Sequence, residues 1–475
     1  MMRTRTLVLA ALAAALAAPL AAQQPSGDAA LGKVVGDASA ALARMRFKIS
    51  NPLLTQTNLG QAVCIDQTNG VFVTVDLGGG VPSDEIKEIV LVPAGTDLTE
   101  YKAELMGVDP EENLAFLKIS VKEHPWKALQ FKRTGPLEPG TRVVSVGLLG
   151  PNSGNVAYMG TGYVGAHLYL PNEVVYVGGG ELTIASSPVM TIDGKVIGLV
   201  GQQMPMEGRL MLGGRWGDVL MMGRQRTQFF TPVDEFAHVL ADIPTSGNPR
   251  RIPWIGVVSF EPLQPTEVEL RKLGNKPAVM VGQVVPDSPA AKAGLNQGDV
   301  ILAMNGKGLQ PMPTRELVAS AFRRALVRSK PGAEMSLTVD RKGKSEEVKV
   351  KSEPAPPYPH EGARYYNPLL GFAGRDLVTL DRYAGRTSPL KEDGVVVTMV
   401  VPNTAAAAGE LHPGDLITAI NDKPVVSVAT LKQVLDPLAK PAGNGITFTV
   451  TRGDSAKKLV INPPKEAVTQ PATQP

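Results

Sequence analysis

The side chains best suited to nucleophilic or metal chemistry are few and widely spaced in this sequence of 475 residues. A zinc site needs closely spaced cysteine and histidine ligands, and a disulfide needs two cysteines. There is one cysteine, Cys64, and the histidines are His124, His167, His238, His360 and His412. We therefore predict no structural metal, no intramolecular disulfide and no cofactor. Cys64 lies in an alternating run and is predicted to be a buried strand residue.

Composition indicates a globular, β-rich protein with no nucleic-acid function. The 48 basic side chains nearly balance 45 acidic ones, giving a net charge of +3, so the chain lacks the positive field of a nucleic-acid binder. With 43% hydrophobic and 20% charged residues it can bury a core. The 49 glycines and 40 prolines, with only 5% aromatics, favour short strands joined by turns. Its length suggests about three domains.

The first 22 residues are predicted to be a secretory signal peptide. Arg3 and Arg5 precede an apolar run from Leu7 to Ala22. That run is shorter than the ~20 apolar residues that a spanning helix needs, and no cysteine follows it for lipid attachment. We expect cleavage after Ala22, with retention as an anchor as the alternative. The mature chain is then exported, to the periplasm or the extracellular space.

Turn-rich segments divide the remaining chain. Ala29 to Arg46 has helix-compatible spacing, and short Val/Ile-rich runs follow as far as Thr231. Residues 243–249 and 352–360 have the composition of linkers. The predicted units are a first module at 29–242, two further domains at 250–353 and 366–463, and a disordered tail at 464–475. The strand predictions are 71–75, 115–119, 143–146 and 196–200.

The second half contains an internal repeat. The segment 285–291 recurs at 401–407, and 295–301 with Asn305 recurs at 411–417 with Asn421, always 116 positions later. The run Ala-Gly-Leu-x-x-Gly-Asp-x-Ile-x-x-x-Asn-Gly from Ala293 to Gly306 resembles the signature of circularly permuted PDZ domains of bacterial proteases. The second copy departs from it at Glu410 and Asp422.

This resemblance implies capture of peptides or unfolded proteins. A partner's C-terminal segment would add as a strand to a sheet edge, with its carboxylate held by backbone N–H groups of an apolar-Gly-apolar loop. The implied helical walls are Glu316–Leu326 and Val428–Leu435, whose Leu431 and Leu435 are either ligand contacts or core residues. The implied peptide-binding loops are Ile255, Gly256 and Val257 in the first copy, and Leu370, Gly371 and Phe372 in the second.

The first module resembles the HtrA (Do-like) serine proteases, which have a trypsin-like double β-barrel. Residues 70–77 are similar to the family's Gly-x-apolar-apolar-Thr-Asn-x-His run, 109–118 to the segment ending Asp-Leu-Ala-apolar-Leu-Lys, and 183–190 to the stretch containing Gly-Asn-Ser-Gly-Gly-Pro. The positions of base, acid and nucleophile are then Leu77, Asn113 and Ala185. Thr183 replaces a glycine whose backbone helps form the oxyanion hole. This pattern predicts a mainly β pseudoprotease followed by two α+β PDZ-like domains.

Three functions follow from these resemblances. The first is a scaffold or holdase that binds polypeptides without cutting them. The second is an active endopeptidase with a rebuilt site, in which Ser186 is a displaced nucleophile served by His124, His167, Lys87 or Lys195. The third is an adaptor that joins active relatives in mixed oligomers, since the family resemblance implies trimers. An inserted loop at 204–222 carries five methionines, which suit either promiscuous apolar contact or packing within the domain.

Overall fold

The computed structural model describes residues 27–75, 77, 81–170, 172–201, 209–212, 215–218, 228–247, 249–383, 390–453 and 455–466. The predicted signal peptide, most of the methionine-containing loop and the end of the predicted tail lie outside these residues. Within the described ranges, no helix combines the length and apolar character needed to cross a membrane.

Two closed antiparallel barrels form the first module, in agreement with the predicted fold class. The first barrel consists of β1 (Leu42–Asn51), β2 (Leu54–Asp66), β3 (Val71–Val75), β4 (Ile86–Pro93), β5 (Tyr101–Asp109) and β6 (Leu114–Ile119). The second barrel consists of β7 (Arg142–Leu148), β8 (Ala157–Leu170), β9 (Asn172–Gly178), β10 (Pro188–Thr191), β11 (Val196–Val200) and, after the hairpin β12 (Arg209–Leu212) and β13 (Arg215–Asp218), β14 (Phe229–Pro232). The four predicted strand segments therefore fall within β3, β6, β7 and β11.

A helix at each end of the module packs against the core shared by the barrels. Val34 and Ala38 of α1 (Gly27–Ser39), and Phe236 of α2 (Val233–Ala241), join a cluster with strands of both barrels. The predicted helix at 29–46 is wrong in its second half, because Leu42 already begins β1 and pairs with Val63. From Leu42 onward, pairing with β2 and β4 provides the hydrogen bonds that a longer helix would have supplied internally.

The first PDZ-like domain is a six-stranded sheet with a helix across it. A separate two-stranded ribbon joins residues before and after this sheet. The elements are β15 (Pro253–Trp254), β16 (Phe260–Pro262), α3 (Pro265–Leu270), β17 (Val279–Val281), α4 (Pro289–Lys292), β18 (Val300–Met304), β19 (Lys307–Gly308), α5 (Arg315–Val327), β20 (Glu334–Arg341), β21 (Lys344–Lys351) and β22 (Glu353–Pro354).

The second PDZ-like domain repeats this arrangement with one additional strand in its sheet. Val428–Leu435 is helical as predicted, and Leu431 and Leu435 are fully buried in the domain core. The elements are β23 (Arg364–Asn367), β24 (Phe372–Asp376), β25 (Val395–Val400), α6 (Ala405–Ala408), β26 (Leu416–Ile420), β27 (Lys423–Pro424), α7 (Val428–Leu435), β28 (Ile446–Arg452) and β29 (Ser455–Ile461).

The repeated Gly-Asp motif organises each PDZ-like domain in the same way. Gly298 and Gly414 adopt positive φ values of 87° and 91°, which suit glycine. The aspartate that follows accepts two hydrogen bonds from an arginine near the end of the domain. Arg341 donates to Asp299 at 2.9 and 2.7 Å, and Arg452 donates to Asp415 at 2.6 and 2.7 Å. This pairing ties the turn to a distant strand in both copies.

Buried charges dock the first PDZ-like domain on the barrels. Arg328, just beyond α5, donates to Glu112 at 2.8 Å and to Glu235 at 3.1 Å, while the two carboxylates are only 3% and 8% exposed. Burial raises the pKa of Glu112, although Arg328 and Arg324 oppose that shift. His238 lies 3.8 Å from Glu112, and burial together with Arg328 lowers its pKa. The contact between the first PDZ-like domain and the barrels thus depends on arginines that face the buried carboxylate of Glu112.

We expect Arg328→Ala to lower the free energy of unfolding by about 2 kcal/mol at neutral pH, because the buried Glu112 loses its main cation. A raised carboxylate pKa means that the folded state keeps a proton which the unfolded chain has released, so stability falls as pH rises above about 4.3. Without Arg328 the pKa of Glu112 rises further, so the variant loses more stability than wild type as pH rises. The variant also removes a cation that lowers the pKa of His238, which reduces the stability that wild type gains as pH rises from this lowered pKa to about 6.5.

Both effects destabilise the variant more at high pH than at low pH. The difference in the free energy of unfolding between wild type and Arg328→Ala, measured by urea unfolding, should therefore grow from pH 5 to pH 8. Arg323→Ala is the matched control on the same helix, because its ion pair with Glu111 is more exposed. That control should change stability by less than about 1 kcal/mol at either pH. A deficit that is equal at both pH values would contradict the account of Glu112 and His238.

Candidate functional site

The three positions expected for a catalytic triad carry no acid, base or nucleophile. Leu77 is 4% exposed and belongs to the apolar core of the first barrel. Asn113 is exposed in the turn between β5 and β6, where its φ is +53°. Ala185 lies half-buried in the turn before β10. A methyl group and an aliphatic chain cannot exchange the proton that serine hydrolysis requires.

Ser186, the residue after the expected nucleophile, forms hydrogen bonds that join the two barrels. It is 2% exposed and has a φ of +67°. Its Oγ accepts a hydrogen bond from the backbone N–H of Val75 at 2.9 Å and lies 3.1 Å from Oγ1 of Thr74. The Ser186 backbone N–H donates to Val200 O at 2.8 Å. The hydroxyl is therefore a buried structural group shared between β3 and the turn before β10.

Gln61 on β2 extends this polar seam. Its Oε1 accepts from the N–H of Leu148 at 2.8 Å, and its Nε2 donates to Oγ of Ser187 at 3.1 Å. The Gln61 carbonyl accepts from Thr74 at 2.8 Å. We define the inter-barrel seam as Gln61, Thr74, Ser186 and Ser187. Its members are 0–2% exposed, so their mutual hydrogen bonds replace those lost with water.

A backbone donor at the expected oxyanion hole already has an acceptor. The N–H of Thr183 donates to Oγ of Ser145 at 2.8 Å, and both residues are buried. Catalysis of acyl transfer requires such a donor to point at the developing oxyanion. In this arrangement the donor points at a side chain of β7 instead. Sequence comparison alone gave no indication of the role of Ser145.

The bases considered for Ser186 lie elsewhere. His124 contacts the carbonyl of Gln67 at 2.9 Å, and His167 contacts Glu173 at 2.5 Å and the carbonyl of Leu137 at 2.6 Å. Lys87 and Lys195 are exposed, whereas Ser186 is buried. None of the hydrogen bonds described for Ser186 involves a histidine or a lysine.

Cys64 is a buried residue of β2, as predicted. Burial raises the pKa of its thiol to about 12. The thiolate is the nucleophilic form of cysteine, and at that pKa it is scarcely populated near neutral pH. The position and pKa of Cys64 therefore indicate a packing role.

The two apolar-Gly-apolar loops have closely similar backbones. Gly256 and Gly371 have φ values of 89° and 81°. A Cβ at Gly256 would lie 2.0 Å from Cβ of Ser288, and one at Gly371 would lie 2.3 Å from Cβ of Thr404. These glycines are thus required by close packing against the residue that precedes the next short helix. Substitution by valine would disturb each loop itself, in addition to any ligand.

Comparison with known proteins agrees with this architecture. Residues 60–199 match the trypsin-like peptidase domain, and residues 255–352 and 374–462 match the PDZ domain. A probable periplasmic serine endoprotease of the DegP-like type from Pseudomonas fluorescens is 30% identical over 377 residues, covering 77% of this chain and 72% of the relative. The chain belongs to the DegP-like, HtrA-type family. A similarly named protein of Hahella chejuensis is 27% identical over 77% of this chain and 73% of its own length.

Solved HtrA-type structures share the fold. The protease AlgW with a tripeptide is 23% identical, covers 69% of this chain and 98% of its own, and superposes with a TM-score of 0.52. AlgW with a decapeptide is 21% identical, covers 69% and 99%, and has a TM-score of 0.50. The HtrA-type arrangement of barrel module and PDZ domain is therefore present here, and this chain contains a second PDZ domain.

We expect Ser186→Ala to destabilise the barrel module by about 1–3 kcal/mol, because the buried N–H of Val75 loses its acceptor. Ser186→Gly removes the same oxygen but relieves the positive φ, so we expect it to be less destabilising. Chemical denaturation of both variants measures these effects. Wild-type stability in Ser186→Ala would mean that the hydroxyl is not a structural hydrogen-bond partner.

Proposed function

We propose that this protein is an exported HtrA-type pseudoprotease that binds peptides or unfolded polypeptides without cleaving them. One observation carries the proposal: the expected nucleophile is Ala185, and the neighbouring hydroxyl of Ser186 is buried in the inter-barrel seam. Leu77 and Asn113 at the other two positions supply neither a base nor its acidic partner. Loss of a triad lowers turnover by roughly 10⁶-fold in a serine protease.

The alternative is an active endopeptidase with a rebuilt site. Its support is the name of the relatives, which are described as probable serine endoproteases. For Ser186 to act as nucleophile, its Oγ would have to leave Val75 and Thr74 and find a base. The lysines proposed for that role are exposed, and both histidines are held by other partners. These contacts favour the pseudoprotease.

Peptide binding is proposed for both loops, at Ile255, Gly256 and Val257 and at Leu370, Gly371 and Phe372. The side chains in both loops are buried, so a ligand would meet mainly backbone groups. Such groups suit a terminal carboxylate and a strand added to the sheet. We propose that the barrel module spans residues 29–242 and that the two PDZ domains span residues 250–353 and 366–463.

Location and assembly are proposed from the same family membership. The relatives are named periplasmic, and residues 1–22 carry the pattern of a signal peptide. We propose that the mature chain works in the periplasm and assembles through its barrel module, as a trimer or in mixed oligomers with active relatives. In mixed oligomers it would act as an adaptor that contributes PDZ domains but no cleavage.

The first test is proteolysis. The purified mature chain should leave unfolded casein intact and form no adduct with a serine-reactive phosphonate, because Ala185 has no nucleophilic group and the Ser186 hydroxyl is buried. Ala185→Ser should remain inactive, since Leu77 cannot accept the serine proton. Circular dichroism confirms that the variant is folded. Cleavage above a heat-killed control, with a labelled Ser186 peptide in mass spectrometry, would establish the endopeptidase instead.

The second test is peptide binding by the full mature chain. A peptide with an apolar C-terminus should bind with micromolar affinity, about −8 kcal/mol. C-terminal amidation should weaken binding by about 1.5–3 kcal/mol, because a hydrogen-bonded charge is removed. N-methylation of a peptide amide that pairs with the sheet should also weaken it. Equal affinity for all three peptides in calorimetry would mean that neither the carboxylate nor strand addition anchors the ligand.

A further inference from the structure

The second PDZ domain already carries a strand on the edge where a peptide would add. β23 pairs antiparallel with β24 in the register Arg364↔Arg375, Tyr365↔Gly374, Tyr366↔Ala373 and Asn367↔Phe372. β24 is the strand that follows the loop at 370–372, and its other edge pairs with β25. Both hydrogen-bonding edges of β24 are therefore used within the chain.

Asn367 occupies the backbone donors of the proposed carboxylate loop. Its side-chain Oδ1 accepts from the N–H of Leu370 at 2.9 Å, and its main-chain carbonyl accepts from the N–H of Gly371 at 2.8 Å. Two oxygens of one residue thus meet adjacent loop amides, as the two oxygens of a carboxylate could. Asn367 is the last residue of β23, so the strand ends at the loop, like a C-terminal peptide.

Side chains on β23 also fill the space beside α7. Tyr365 is 6% exposed, packs against Phe372 with a ring separation of 6.0 Å, and donates to Asp436 at 2.6 Å. Asp436 is the C-cap residue directly after α7. Nδ2 of Asn367 donates to the Tyr365 hydroxyl at 2.8 Å. β23 is therefore bonded both to β24 and to the helical wall.

The first barrel contacts the same strand. The hydroxyl of Tyr366 donates to Glu85, and Arg364 pairs with Asp84 and lies 3.4 Å from Glu85. Glu85 is 8% exposed and also accepts from Asn51 at 2.8 Å. The short helical turn Ser83–Glu85 thus fixes β23 to the barrel module.

The first PDZ domain is built differently at the equivalent place. Its strand before the loop, β15, pairs with β22 and not with β16. β16 ends the strand order of its sheet, with β17 as its strand neighbour. Among the described residues, no hydrogen-bond acceptor contacts the backbone N–H of Ile255 or Gly256. The two domains share a loop but differ in what occupies it.

We propose that residues 364–367 form an intramolecular latch that occupies the peptide groove of the second PDZ domain, with Asn367 in the place of a ligand carboxylate. Peptide enters this groove only when the latch leaves β24 and separates from the Ser83–Glu85 turn. The first PDZ domain is then the receptor of the resting chain, and release of the latch provides a second site. The peptide-binding part of this inference rests on the proposed function; the closed strand does not.

Two measurements on the full mature chain test the latch. Calorimetry with a fluorescein-labelled decapeptide ending in valine should give one strong site in wild type, since occlusion weakens binding at the second domain. In Asn367→Ala the second site should bind about tenfold more tightly than in wild type, and amide exchange over 364–376 should be about tenfold faster. Asn367→Asp keeps an oxygen for the N–H of Leu370 but loses the Nδ2–H that binds the Tyr365 hydroxyl, so it should open the latch less than Asn367→Ala does.

Tyr366→Phe removes only the hydroxyl that contacts Glu85, so it should open the latch, but to a smaller extent than Asn367→Ala. This second variant tests the latch if Asn367→Ala does not fold. Two equal sites in wild type would overturn the latch, as would identical exchange over 364–376 in wild type, Asn367→Asp and Asn367→Ala. If no variant binds peptide but exchange differs as expected, the closed strand stands and peptide binding by this protein is wrong.

Discussion

The buried hydroxyl of Ser186 is the constraint around which the two barrels are joined. A group that is 2% exposed must find its hydrogen-bond partners inside the protein. Ser186 finds them on the other barrel, at Val75 and Thr74. Arg44 adds to this junction by donating to the carbonyls of Leu148 and Leu149, while burial lowers its pKa. The hydroxyl of Ser186 is therefore held between the two barrels by partners inside the protein.

Two turns of the first barrel connect the barrel module to the PDZ domains. The turn that contains Asn113 also contains Glu111 and Glu112, which pair with arginines of the first PDZ domain. The chain that leaves Leu77 reaches the Ser83–Glu85 turn, which contacts β23 of the second PDZ domain. Two positions of the expected triad thus lie close in sequence to the docking contacts. The turns next to these two positions therefore connect the domains of this chain.

Much of the architecture could be predicted from local sequence. The repeat indicated two similar domains, and the resemblance of its motif to PDZ domains predicted their fold. Gly298, Gly414, Asn305 and Asn421 adopt positive φ at equivalent positions of the two copies. The end of α1 could not be predicted in this way. Residues 40–46 suit a helix locally, but strand pairing of Leu42 with Val63 and of Ala43 with Pro93 supplies tertiary hydrogen bonds that helix propensity does not include.

The seam and the contact of β23 with the first barrel could not be predicted from the sequence, because both depend on partners that are distant along the chain. Ser186 meets Thr74 across 112 positions, and Tyr366 meets Glu85 across 281. The dipeptide Asn367-Pro368 is typical of a turn. A turn alone does not predict that the strand before it pairs with the strand after it. The two loops show why this matters: their glycines have nearly the same φ, yet one strand before the loop leaves for β22 and the other folds back on β24. Two loops with nearly the same backbone therefore differ in the partners of their N–H groups, because the segment that precedes each loop decides which acceptors they meet.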